Sequence, residues 1–202
     1  MSVKRIFDMA LSGAGLIISS PVWLVISLAI KLDDHGPLFY LQERVGRGGR
    51  IFKIVKFRSM IVDAEKSTGA VQATEHDPRV TRIGRLLRGT AMDELPQLVN
   101  IFKGDMSFVG PRALRPQERE VSGDSQVLDM SQVPGYRERL AVTPGLTGLA
   151  QVYLSGDAPR RKKFRYDQLY IRNTSFCFDL KLILLSFLIT FKGKWEYRGK
   201  KV

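Results

Sequence analysis

Apolar residues along this chain gather at its two ends, and a polar stretch of mixed periodicity separates them. From Ile6 to Leu32 nearly every position is apolar, interrupted by Asp8 near the start and by Ser19-Ser20-Pro21 in the middle. A bilayer core is crossed by ~20 apolar residues, so the run is long enough to enter a membrane. It fits a secretory leader poorly, because no small-x-small cleavage site follows before Lys31. Three placements stay open: a helix broken at Ser20-Pro21 that enters and leaves by one face, a straight spanning helix, and a core helix. The flanks favour the first. Lys4 and Arg5 precede the run, while Lys31, Arg44, Arg47, Arg50 and Lys53 follow it, so both ends read as cytoplasmic. Pro21 has no amide hydrogen and crowds the preceding turn, and the serine hydroxyls beside it can satisfy carbonyls that a bend would free. At the other end, Leu180 to Phe191 is apolar but too short to cross a bilayer. Lys192, Lys194, Trp195, Tyr197, Arg198, Lys200 and Lys201 follow, a mixture suited to headgroups. A surface-lying helix and a core helix with a solvated basic tail both account for this pattern.

Between the ends, Leu38 to Gln42 and Ile51 to Phe57 are β-rich runs separated by Gly46, Gly48 and Gly49, which predicts a hairpin. Lys56 and Arg58 lie on or beside its second strand. Asp63 to Asp77 reads as a loop. In Asp77 to Arg88 an arginine recurs every third residue. If helical, this segment sets Arg79, Arg82 and Arg85 on one side and Val80, Ile83 and Leu87 on the other, an arrangement that by itself describes a solvated face.

The segment Thr90 to Gly104 predicts a helix starting around Asp93 or Glu94, since Pro96 is tolerated only near a helix start and Gly104 is a good stop. Two adjacent carboxylates at a helix start can be plain caps that suit the dipole. Their setting points further. They follow the arginine-rich segment and precede Gly104 to Arg112, a Gly/Pro-constrained loop that delivers one more arginine, and carboxylates, arginines and free amides together can hold a metal and a pyrophosphate.

Composition narrows the chemistry. The net charge is +12 with a pI near 10.0, which calls for anionic partners without choosing among lipid, nucleotide and nucleic acid. Cys177 is the only cysteine and His35 and His76 are the only histidines, so a disulfide framework and a thiolate or histidine metal cluster are excluded. At 202 residues the chain has room for one catalytic unit with anchoring elements and none for added membrane helices or further domains.

Seven segments in order carry a family resemblance: Ser20-Pro21, Lys56 to Met60, Asp77 to Thr81, Asp93 to Gln97, Gly104 to Arg112, Pro144 to Val152, and Tyr166-Asp167 through Arg172-Asn173. With these the chain resembles the bacterial sugar transferases, the small monotopic phosphoglycosyl transferases, over nearly its whole length. The resemblance implies an α+β fold, mostly helical with a small β-hairpin, forming one domain over 1–202. Within it, 1–33 would be a re-entrant membrane helix broken at Ser20-Pro21, 34–178 a cytosolic catalytic region, and 179–202 an interfacial helix with a basic tail.

It also implies a reaction. Asp93 would attack the sugar-bearing phosphorus of a UDP-sugar, expelling UMP, and polyprenyl (undecaprenyl) phosphate would then take the phosphosugar from the enzyme. Glu94 would bind Mg2+ or act as a base, and Arg88, Arg112, Lys56 and Arg58 would hold phosphate oxygens. Pro111, Pro144, Gly145 and Gln151 would support the loops. Membrane lipid is the implied surface at the cytoplasmic face of the bacterial inner membrane; nucleic acid is not an implied partner, and a homo-oligomer is left open. Thr143 and Tyr153 to Asp157 depart from the family pattern and bear on the sugar and nucleotide contacts. Two rival readings are a noncatalytic basic protein of membrane or nucleic-acid surfaces and a direct single-step transferase without an enzyme-bound phosphosugar.

Overall fold

A computed structural model describes residues 2–64, 66, 77–116, 118–121 and 127–193. The first helix, α1 (Val3–Asp34), is capped by the Ser2 hydroxyl and ends at His35 in the left-handed region. Its 32 residues run about 48 Å along the helix axis, and it rests on the rest of the chain from first turn to last. Near its start, Lys4 pairs with Asp179, and Arg5 donates to the carbonyls of Ile101 and Phe102 at 2.6 and 2.7 Å. At its far end, Asp34 pairs with Arg58 and Asp33 accepts the Ile83 amide at 3.1 Å. Gly13 and Gly15 lie against Phe102 and Leu98, where small residues permit close approach. The outward side carries Ile17, Ile18, Leu24, Val25, Leu28 and Leu32, all exposed. Among the described residues, α1 is the one helix long and apolar enough to cross a membrane.

The expected break at Ser20-Pro21 is not an interruption of the helix. The backbone stays helical through Pro21, and the Ser20 hydroxyl donates to the Ile17 carbonyl at 2.8 Å. That carbonyl is the group from which a proline four residues on withholds its amide. A local hydroxyl thus repairs the missing bond without unwinding the turn.

The hairpin forms as expected. Strands β1 (Phe39–Val45) and β2 (Ile51–Phe57) pair antiparallel, and Gly48 and Gly49 adopt φ of 68° and 80° in the connection. Next come α2 (Arg82–Gly89), a 3₁₀ turn (Met92–Glu94) and α3 (Gln97–Lys103). Strand β3 (Ser107–Val109) runs parallel to β6 (Gly145–Thr147), and β4 (Arg119–Val121) pairs with β5 (Val127–Asp129). Helices α4 (Tyr136–Leu140), α5 (Leu149–Tyr153), α6 (Arg160–Arg172) and α7 (Phe176–Phe191) complete an α+β architecture.

Several boundaries differ from expectation. α2 starts at Arg82 because the Thr81 hydroxyl caps it by accepting the Gly84 amide, which leaves Arg79 in the preceding turn, paired with Asp77. Arg82 and Arg85 face solvent, the bland side of the sequence reading. α7 begins four residues before the apolar run, because Asp179 is buried in its first turn against Lys4 and Tyr170 rather than ending the helix. The helix buries Leu182, Ile183 and Ile189 and exposes Leu184, Phe187, Leu188 and Phe191, so it has a core side and an apolar outer side. Most of the 63–77 loop and the basic tail from Lys194 onward lie outside the described residues.

Candidate active site

The two adjacent carboxylates do not start an α-helix. The chain turns at Ala91, which takes φ 54°, and Met92–Glu94 then form a 3₁₀ turn that leads through Leu95 and Pro96 into α3. Pro96 has no amide to continue an α-helical ladder backwards, and the bonds across it, Leu98 to Leu95 and Val99 to Pro96, span three residues. The tight turn buries both carboxylates, leaving Asp93 and Glu94 each 8% exposed. Exposed caps would be solvated; these are not.

Lys56 meets them from β2. Its ammonium lies 2.5 Å from Glu94 Oε1 and 3.8 Å from Asp93 Oδ2. The edge of β2 is tied to α3 by Asn100, whose side chain accepts the Val55 amide at 3.0 Å and donates to the Lys53 carbonyl at 2.8 Å. Strand, helix and 3₁₀ turn are thereby held as one unit around the lysine and the two acids.

A second loop brings arginine. Parallel pairing of β3 with β6 sets Gly110-Pro111-Arg112 against Pro144-Gly145. The Gly110 amide donates to the Thr147 carbonyl and the Gly145 amide to the Pro111 carbonyl, each at 2.9 Å. The approach is so close that a Cβ on Gly145 would lie 2.0 Å from the Gly110 nitrogen. Gln151, in α5, backs this contact through Gly148, where a Cβ would come 2.8 Å from the Gln151 amide oxygen and 2.3 Å from the Gly110 carbonyl.

Arg112 itself is exposed. Beside it a cleft of about 290 Å³, counting its open mouth, is lined by Pro111, Arg112, Tyr136, Arg139, Leu140 and Pro144 among others. Burial alone would raise the Glu94 carboxyl, but Lys56, Arg112 and Arg44 outweigh it and hold the group below its usual range, so Glu94 is anionic at neutral pH. Arg44 is lowered to about 10, first by burial and then by Arg112 and Arg115. Lys56, Arg112 and Arg44 thus act together on the acids, a cationic setting of the kind that receives an anionic phosphate.

A family profile, bacterial sugar transferase, matches residues 1–193. The chain belongs to the bacterial sugar transferase family. The chain is 43% identical over 198 residues to a UDP-glucose:undecaprenyl-phosphate glucose-1-phosphate transferase of Klebsiella pneumoniae, covering 96% of this chain and 40% of that protein. It is 41% identical over 186 residues to an exopolysaccharide production protein of Rhizobium leguminosarum bv. phaseoli, covering 90% of this chain and 91% of the relative. A UDP-N-acetylgalactosamine-undecaprenyl-phosphate N-acetylgalactosaminephosphotransferase of Aeromonas hydrophila is 39% identical over 184 residues, with 90% and 42% covered. The chain therefore spans about two fifths of the Klebsiella and Aeromonas proteins and nine tenths of the Rhizobium one.

Of the residues singled out in the sequence, the structure brings Lys56, Asp93 and Glu94 into contact and sets Arg112 within electrostatic reach of Glu94. Arg88 lies half-buried in the last turn of α2, three residues before the turn at Ala91. Pro111, Pro144 and Gly145 are buried and shape the arginine loop. Arg58 is instead engaged by Asp34 at the end of α1 and packed against Gly36, where a Cβ would come within 1.7 Å of its Nη1. Ser20 and Pro21 lie mid-helix.

Sequence reasoning missed Arg44 and Asn100. Arg44 had been counted only as a flanking charge, and its signal was a strand arginine that ends as a donor to the Ala113 carbonyl. Asn100 was visible as a lone amide inside Leu98 to Phe102.

A second buried pair, Arg139 with Asp167, lies behind the arginine loop at 2.7 Å. Burial pushes the Asp167 carboxyl up to about 6, against the pull of Arg139 and then of Arg160 and Lys163. A raised native value means that this group's contribution to stability is fully present below its ordinary 3.8 and is lost as pH rises through about 6. Wild type should therefore gain stability relative to Asp167→Asn as pH falls from 6 to 4. Urea midpoints of both proteins across that window check it, and a gap that does not change with pH defeats the assignment.

Proposed function

We propose that this chain transfers a sugar-1-phosphate from a UDP-sugar to a membrane polyprenyl phosphate, releasing UMP through a covalent aspartyl-phosphosugar. The observation that carries the reading is the buried Asp93–Glu94 pair against Lys56, with Arg112 and Arg44 within electrostatic reach of Glu94. A carboxylate nucleophile and a diphosphate repel each other, and the surrounding cations offset that repulsion. An Asp93 carboxylate oxygen bonds to the sugar-bearing phosphorus as the bond to the bridging oxygen breaks, and UMP leaves with that oxygen. A phosphate oxygen of the acceptor then attacks the same phosphorus, the acyl–phosphate bond breaks, and Asp93 returns as a carboxylate. Lys56 holds both acids in register, and Arg112 and Arg88 orient phosphate oxygens. A basic surface protein, the rival reading, has no use for two buried acids on a 3₁₀ turn.

Mg2+ suits this donor set. The ion takes one or two carboxylates and completes its shell with water and phosphate oxygens, and Asp93 and Glu94 are adjacent acids. Among the described residues no group of three or more His, Cys, Asp or Glu side chains forms a self-sufficient metal cage. Glu94 would hold the ion, with Lys56 already occupying one of its oxygens. When bound, it would neutralise charge on the transferring phosphoryl group.

For placement, α1 is tied to the body at both ends and exposes an apolar flank, and Pro21 at its middle permits a bend; together these support a helix that enters and leaves by the same face. The exposed side of α7 supports an interfacial seat for that helix.

The test is UMP release from a panel of UDP-sugars by purified protein in lipid with Mg2+ and undecaprenyl phosphate, joined to exchange of labelled UMP into UDP-sugar without acceptor. Release with one donor and acceptor-free exchange are expected. Release without exchange would favour single-step transfer, and no release across the panel would return the chain to the noncatalytic class.

A further inference from the structure

Arg139 makes three contacts in three directions, all below the surface. Its Nε donates to Asp167 Oδ2 and its Nη2 to the Arg112 carbonyl, each at 2.7 Å, and its guanidinium lies 4.1 Å above the centre of the Phe164 ring. Arg139 is 8% and Asp167 2% exposed. The bonds fix the guanidinium in its plane and the ring fixes it from below, so the Arg112 carbonyl meets a donor with little freedom to move. The other side of the same peptide segment is held by Gly145, whose amide binds the Pro111 carbonyl. Arg112 is thus clamped at its main chain while its side chain is exposed and within electrostatic reach of Glu94.

The pair has no evident value as a stabilising bridge. Burial lowers Arg139 and raises Asp167, each against the attraction of the other, with Arg160, Lys163 and Glu118 as the neighbouring charges. A buried pair whose desolvation outweighs its attraction contributes geometry rather than stability. We infer that Arg139, held by Asp167 and Phe164, is a positioning residue that aims Arg112 at the donor's diphosphate. The inference rests on the proposed function for the identity of that ligand.

A lysine at 139 can keep the charge on Asp167, but one ammonium cannot reproduce a fork that binds a carboxylate and a carbonyl from a fixed plane. A misplacement of about 1 Å costs up to about 100-fold in rate, so Arg139→Lys should lower kcat/KM by roughly 10- to 100-fold. The decisive arrangement is a double-mutant cycle with Arg112→Ala, read both as kcat/KM for UMP release and as UDP affinity by calorimetry. In the Arg112→Ala background the lysine substitution should change either quantity by less than about twofold, although any loss in Tm would persist.

Equal losses in both backgrounds, tracking Tm, would overturn the inference and leave Arg139 as a structural residue. Should Arg139→Lys not fold, Asp167→Asn, which keeps an acceptor oxygen and the side-chain shape, enters the same cycle. UDP binding without turnover sinks the transfer reaction yet still reads the coupling. Absence of UDP binding overturns the inference, since Arg112 then has no diphosphate to meet.

Discussion

Asp93→Asn is expected to reduce UMP release by at least about 10³-fold while leaving the fold in place. The amide is nearly isosteric with the carboxylate, so the 3₁₀ turn, with Ala91 ahead of it and Pro96 behind, should survive. What disappears is the charged oxygen that would bond to phosphorus. The loss should fall on the chemical step, because Lys56, Arg112 and Arg44 still supply the field that binds the diphosphate. UDP affinity should therefore hold within a few-fold, or tighten as one negative charge leaves the site. The measurement is single-turnover UMP release beside calorimetric UDP binding for both proteins. Equal release by wild type and variant removes Asp93 as the nucleophile. A parallel loss of binding and release would instead assign it a structural role under Lys56.

Gly145→Ala should destabilise the protein by more than about 3 kcal/mol, as overpacking against main chain does when nothing flexible can yield. Its added methyl would lie 2.0 Å from the Gly110 nitrogen and 2.4 Å from the Thr147 carbonyl oxygen, and both are backbone atoms. Relief requires the two loops to separate. That separation breaks the hydrogen bonds from the Gly145 amide to Pro111 and from the Gly110 amide to Thr147 and carries Arg112 away from Glu94. Activity and stability should fall together. Gly89→Ala is the matched control: it stands at the end of α2 with nothing within 4 Å of an added methyl, so it should be neutral or gain up to about 1 kcal/mol from helix propensity. Urea unfolding of the three proteins decides. A Gly145→Ala variant within about 0.5 kcal/mol of wild type would mean that the loops part easily, and the packing argument for the arginine loop would fail.

How far the chain announces this arrangement depends on the range of the interactions involved. Locally governed features were legible. The apolar run that became α1 and the alternating strands around Gly48 and Gly49 follow from solvation and backbone sterics that act within a few residues. The adjacency of Asp93 and Glu94 and the Gly/Pro confinement of Arg112 were likewise readable, and the order of these pieces carried the family. Even there, local rules misjudged one point: Asp93-Glu94 reads as a helix start, yet the turn at Ala91 and the bonds across Pro96 favour a 3₁₀ turn.

The sequence by itself determined which chemistry is available: one cysteine, two histidines, adjacent acids and an excess of cations leave oxygen ligands and phosphate as the natural currency of the site. Tertiary structure decided which of those charges act together. Lys56 reaches Glu94 across 38 residues, Arg58 is drawn to Asp34, and Asn100 ties α3 to β2 across 45. Arg139 seizes a carbonyl 27 positions away. None of these choices has a local signature, because a buried charge or amide takes whatever partner the packing of distant segments brings within about 3 Å, and only the folded chain sets that distance.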